Sequence, residues 1–204
     1  MLEAGTVLGE TTLRQRLQRS TAAVHRRLEA QLGLLKPDLD ISRYRRVLET
    51  FYGFYVPLEI AVTRVAALSP PLEFSLRVRS GLIERDLLAL GMVPAEIMEL
   101  PRCADVPALS SFEDLAGCLY VLEGACLGGQ MLAPLLHRRL GITKGSGASF
   151  FAGDEERTMD RWTVVVGWLE GLPRAGASPA KIIVAARTTF EAFERWAVLS
   201  HSHG

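Results

Sequence analysis

The chain has 204 residues, 49% of them apolar and 23% charged, which suits one substantial globular domain and excludes a fibrous or disordered chain. Its 23 Lys and Arg balance 23 Asp and Glu, so the overall basic excess of a nucleic-acid binder is missing. Cys103, Cys118 and Cys126 form no C-x-x-C pair, which argues against a disulfide framework or a structural zinc and favours a reducing compartment. Residues 1–20 carry charges and no long apolar run, and no stretch approaches about 20 uninterrupted apolar residues. The expectation is a cytoplasmic protein with no membrane span and no nucleic-acid partner.

The elements in chain order are helical. Residues 11–32 place Leu13, Leu17, Thr21, Val24, Leu28 and Leu32 at three- and four-residue steps, after Thr11 and Thr12 as capping candidates. A second helix spans about 42–68, with Pro57 inside it and Ser69-Pro70-Pro71 as its stop. A third spans 72–90 and ends at Gly91; a short one fits 94–99. Ser110 or Ser111 caps a long apolar helix over 112–140, stopped by Gly141. Asp154 opens the next helix, which ends near Gly171, and Ser178-Pro179 opens the last, running to about 199. No alternating strand pattern and no fixed repeat occurs. The prediction is an all-α, single-domain bundle over 11–199, with 1–10 and 200–204 as flexible termini.

Two places break the rules of an ordinary bundle. Tyr120–Gln130 reads Tyr-Val-Leu-Glu-Gly-Ala-Cys-Leu-Gly-Gly-Gln, with Gly124, Gly128 and Gly129 inside one helix. Each interior glycine costs on the order of 1 kcal/mol relative to alanine. Bare backbone permits close approach of another helix, or of a flat ligand. His25 sits at the edge of the first apolar stripe, with Glu29 at i+4 on the same face. It is either a hydrogen-bonded boundary residue or a metal ligand whose Nδ1 faces the carboxylate and whose Nε2 is free. His137, in a basic run near a helix end, and His201 and His203 in the tail suit structural or solvent roles. The absence of Glu-x-x-His disfavours a bundle di-iron site. Tyr55 and Tyr120 read as core.

These two segments resemble the haem oxygenase family. Leu13-Arg14 with Thr21-Ala22-Ala23-Val24-His25-Arg26-Arg27-Leu28-Glu29 is similar to its first helix, and Tyr120–Gln130 to its distal helix. The form of the glycine segment looks most like the bacterial, bacteriophytochrome-associated branch. Phe51–Glu59, Asp86–Gly91 and Gly147–Phe151 add to the likeness, which covers about 11–198. The resemblance implies a haem oxygenase-like bundle with haem between the first helix and a kinked distal helix. It implies His25 as the iron ligand, with Glu29 beside it. Gly124, Gly128 and Gly129 would form the catalytic distal face, and Ala125 would also lie against haem. It implies opening of haem to biliverdin with release of CO and iron, using O₂ and an external electron donor. A small redox protein or reductase, and a bacteriophytochrome, are the implied partners.

The sequence departs from the family in three places. Ala125 stands where many members carry an aspartate. Gln18 and Ala22 replace basic residues that hold haem propionates. Arg187 matches a propionate-binding arginine by position, with Lys181 nearby and Arg14 and Arg19 as further candidates; a solvated surface role fits Arg187 equally. These departures motivate an alternative, a non-catalytic haem or bilin carrier on the same fold. A third reading is a thiaminase-like enzyme with Cys118 or Cys126 as nucleophile.

Overall fold

The computed structural model describes residues 11–69, 72, 75–153 and 157–201. Eight helices occur among them: α1 Leu13–Leu32, α2 Ile41–Ala67, α3 Ser80–Ala89, α4 Pro94–Glu99, α5 Phe112–Leu140, α6 Ser149–Ala152, α7 Thr158–Gly171 and α8 Pro179–His201. No strand is present among the described residues. The expected all-α fold is therefore observed.

Capping residues mark the long helices. Thr12 accepts from Gln15 N, and Gln15 answers with a bond from Thr12 N at 3.2 Å. The Glu170 carboxylate of α7 takes two further orphan amides at the start of α1, those of Leu13 (3.0 Å) and Arg14 (2.8 Å). Asp40 caps α2 and Ser111 caps α5. Gly33 and Gly141 close α1 and α5 at φ 67° and 71°, where a side chain would be strained.

Two boundaries differ from the sequence expectation. The helix expected over 72–90 begins only at Ser80. Buried Glu59 of α2 sets that start by accepting from Arg79 N at 2.6 Å and Ser80 N at 3.2 Å, so the preceding residues 75–79 stay non-helical. The short α6 was not foreseen, because four residues show no period. Buried Asp86 holds it, accepting from Ser149 N and Phe150 N at 2.7 Å each. The predicted start at Asp154 lies outside the described residues. The last helix runs on to His201, two residues past the end expected near 199.

The core runs between α2, α5 and α8. Phe54 stacks on Phe193 with centroids 4.5 Å apart and planes 11° from parallel. Phe51 meets Phe150, Phe151 and Phe193 edge-on or tilted. Helix α5 is long and apolar enough to cross a membrane by length and composition, but here it packs on α8, α6, α7 and α2 as the bundle's central helix. A Cβ on Gly117 would fall 2.5 Å from the Ile182 carbonyl, so α5 and α8 approach closely there.

Candidate active site

A cavity of about 370 Å³ opens between α1, α2, α5, α6 and α8. Its walls are Leu28 and Leu32 of α1, Phe51, Phe54 and Tyr55 of α2, and Phe150, Phe151, Phe190 and Phe193 of α6 and α8. The opposite wall is the α5 segment from Val121 to Leu132, including Gly124, Ala125, Gly128 and Gly129. A second cavity of about 340 Å³ shares His25, Val121, Gly124, Ala125, Leu127 and Phe190 with the first. It adds Arg14, Gln18, Ala22, Arg26 and Tyr120. The result is one slot, apolar and aromatic inside and basic at one end. Its lining suits a large, mainly apolar ligand with anionic substituents.

The glycines divide between the two readings left open by the sequence. A Cβ on Gly128 would meet nothing within 4 Å, and one on Gly124 only Trp162 at 3.7 Å. Bare backbone at Gly128 therefore faces open space. Gly129 is different: a Cβ there would collide with the Phe151 carbonyl oxygen. Its bareness serves the close contact of α5 with α6, although it also lines the slot. The segment stays helical from Phe112 to Leu140.

His25 lies where the two cavities meet, half-exposed, with its ring edge-on to Phe190 at 5.2 Å and 72°. Glu29 lies beside it one turn on, but the expected contact through Nδ1 is not seen. Nε2 faces Glu29 Oε1 instead, at 3.6 Å, beyond a hydrogen bond. The Phe190 ring sets the imidazole plane, and half-exposure leaves the ring room to turn. No cluster of three or more His, Cys, Asp or Glu suited to a metal occurs among the described residues. That donor set fits an iron that arrives already held by four porphyrin nitrogens and needs one imidazole.

Among the proposed anion-binding residues, Arg14 lines the slot and Arg187 does not. Arg187 is half-exposed on α8 and pairs with Glu191 at 3.4 Å. Lys181 and Arg19 are also outside both linings. Arg26, one turn after Ala22, was not singled out in the sequence; only its helical step from Ala22 could have indicated it. Arg14 stands one turn before Gln18 in the same way.

Tyr55 is a core residue and Tyr120 a partly buried one packed against the core; each also lines the slot. Burial pushes the Tyr55 phenol well above its ordinary value, against the opposing pull of Arg79. It is therefore a neutral donor at any physiological pH. Glu123, beside Gly124, is clasped by Arg161 of α7, with Nε at 2.8 Å from Oε2. The thiaminase-like reading loses its nucleophile, since burial pushes the Cys118 thiol up to about 12 and raises Cys126 as well.

A family model described as heme oxygenase matches residues 11–198. A comparison with curated protein sequences gave no significant match. In fold, the chain is similar to a haem oxygenase from Leptospira interrogans, with a TM-score of 0.71 and 20% identity over 91% of this chain and 98% of that one. It is also similar to the haem oxygenase of Neisseria meningitidis, solved with NO and CO bound, with a TM-score of 0.69 and 23% identity over 94% and 92% of the two chains. With a match over nearly its whole length, a slot of this shape and a histidine at its mouth, the chain belongs to the haem oxygenase family and is a haem-degrading oxygenase.

Proposed function

We propose that haem lies in the slot between α1 and α5, with His25 as its iron ligand, and is opened to biliverdin with release of CO and iron. The observation that carries this reading is the meeting of two cavities at His25 opposite the open backbone of Gly128. Bound haem supplies both the iron at which O₂ is reduced and the ring carbon that is oxidised.

The side chains do the rest. His25 turns from Glu29 to present a nitrogen to the iron, and Glu29 then steadies the other edge of the imidazole. Gly124, Gly128 and Ala125 let the α5 backbone lie against the macrocycle, shielding the edges it covers. The phenyl rings of Phe51, Phe54, Phe150 and Phe193 exclude water from the inner part of the slot. Arg14 and Arg26, one turn outside the replaced positions 18 and 22, line the second cavity with Gln18 and Tyr120 and supply cations for the propionates. Ala125 brings no carboxylate to the oxygen side. Apart from His25 and Glu29, Tyr55 is the only titratable side chain in the main cavity among the described residues, and its Oη keeps its proton.

Electrons come from a small redox protein or reductase outside the chain. The glycine-segment motif supports the bacteriophytochrome-associated branch, in which the product is a chromophore, and a cytoplasmic setting accords with three unpaired cysteines. The test is turnover: protein loaded with haemin, given ascorbate in air, develops the broad red absorption of biliverdin. A stable haem spectrum under those conditions contradicts the reading.

A further inference from the structure

The two ends of the slot differ in character. Along the chain its lining passes from Arg14 and Gln18 at the basic end to Leu32, Leu34 and Leu35 at and just after the end of α1. At this apolar end two large side chains stand in solvent: Leu35 is 62% exposed and Met131, on α5, is 82% exposed. Scattered exposed apolar residues are ordinary. These two are not scattered, because both line the same cavity and so form its outer rim. Arg139 fixes that rim by donating to the carbonyls of Leu35 (3.2 Å) and Lys36 (2.8 Å), which ties the loop after α1 to the last turn of α5.

Charge around the rim is of one sign. From Gly124 to Gly153 the chain carries no Asp or Glu, but it carries Arg138, Arg139 and Lys144. Met131, half-buried Leu135 and exposed Arg138 follow one face of α5 at three- and four-residue steps, over about 10 Å. Exposed Lys36 adjoins Leu35 on the loop. Neither Lys36 nor Arg138 has an ion-pair partner among the described residues. The acids that follow on the loop are engaged elsewhere: Asp38 pairs with Arg43, and Asp40 caps α2.

An apolar tip flanked by unpaired cations matches the surface of an anionic bilayer, where the apolar groups enter the acyl boundary and the cations meet the headgroups. Two side chains are few for the buried centre of a protein–protein interface. The chemistry of the ligand points the same way, since haem is largely apolar, self-associates in water and dissolves in lipid. We infer that the Leu35–Met131 rim docks on an anionic membrane surface, so that the slot takes up haem directly from the lipid. This inference rests on haem occupying the proposed slot. Helix α5 stays packed in the bundle, and only its rim side chains enter the lipid.

The test begins with haem-free protein and vesicles of phosphatidylcholine, alone or with an equal part of phosphatidylglycerol. Wild type should co-sediment with the anionic vesicles, and Lys36→Glu/Arg138→Glu should bind them about tenfold more weakly or worse. Leu35→Asn should weaken binding about fivefold, through its lost apolar contact. Anionic vesicles preloaded with haemin are then mixed with protein while the Soret band is recorded. Its rate of appearance should rise with vesicle concentration for wild type and be about tenfold slower for the double variant, whereas both proteins take up free haemin equally. Equal vesicle binding by wild type and the double variant overturns the inference. Failure of wild type to bind anionic vesicles also overturns it, and leaves the rim to a protein partner or to solvent. A transfer rate independent of vesicle concentration overturns it as well, because haemin then reaches the slot through water. A missing Soret band with free haemin in wild type overturns the haem reading and this inference together; a normal Soret band without vesicle binding overturns this inference alone.

Discussion

At the scale of single residues, neighbouring glycines do opposite work. Gly128→Ala puts a methyl into open space within a helix, so it should stabilise the haem-free fold by about 0.5–1 kcal/mol. Gly129→Ala forces a methyl against the Phe151 carbonyl and should cost about 1–3 kcal/mol. Urea unfolding of the two variants checks the opposite signs. Gly128→Leu extends the test to function: its fold should remain intact while haemin uptake weakens at least tenfold, because the larger side chain fills the slot. The sequence showed that this segment was unusual but could not divide its glycines. That division depends on where α6 lies, and α6 is too short to leave a period. His25 stood out in the sequence through its place beside the apolar stripe and Glu29 at i+4. The orientation of its ring was not, since it depends on Phe190, distant by 165 positions and brought near by packing.

At the scale of elements, polar side chains buried between helices set the shape of the slot. Asp86 of α3 is fully buried and holds the start of α6, which carries Phe150 and Phe151 into the cavity wall. Asp86→Ala leaves two buried amides without an acceptor and should cost about 2–4 kcal/mol. It should also loosen haemin binding, which stability measurements with and without haemin would reveal. Glu123 and Arg161 pin the glycine segment of α5 to α7. Arg161→Ala strands a buried carboxylate, with a loss of about 3–5 kcal/mol expected in chemical denaturation. These cross-links escaped the sequence reading because their partners are 63, 64 and 38 residues apart. The long helices themselves were plain, since α1, α2, α5 and α8 carry continuous apolar stripes and recognisable caps. The false start at 72 arose because an apolar stripe over Leu72 and Leu76 resembles a helix until Glu59 takes the amides at Arg79 and Ser80.

At the scale of the whole molecule, burial governs the response to alkaline pH. All four tyrosines, Tyr44, Tyr52, Tyr55 and Tyr120, have phenols raised above their ordinary value, with burial as the leading cause. In the unfolded chain they ionise near pH 10. Above that pH the unfolded state therefore binds fewer protons than the native state, and stability must fall as pH rises. Ultraviolet titration should show delayed phenolate formation in native protein, completed as the bundle unfolds; ordinary titration near pH 10 without unfolding would contradict the burial described here. Zero net charge in the sequence concealed the basic end of the slot, because the chain total says nothing about distribution. The bundle, by contrast, could be read from periodicity, and the family from two short segments in the right order.

The central claim is that one imidazole at the mouth of the slot binds the iron of haem. Titrating haemin into wild type and His25→Ala while recording the absorption spectrum tests it most directly. Wild type should give a sharp Soret band saturating at one haem per chain. His25→Ala should give a shifted, weaker band, restored toward wild type by added imidazole. Superimposable spectra of the two proteins would place the iron on another ligand and contradict the account.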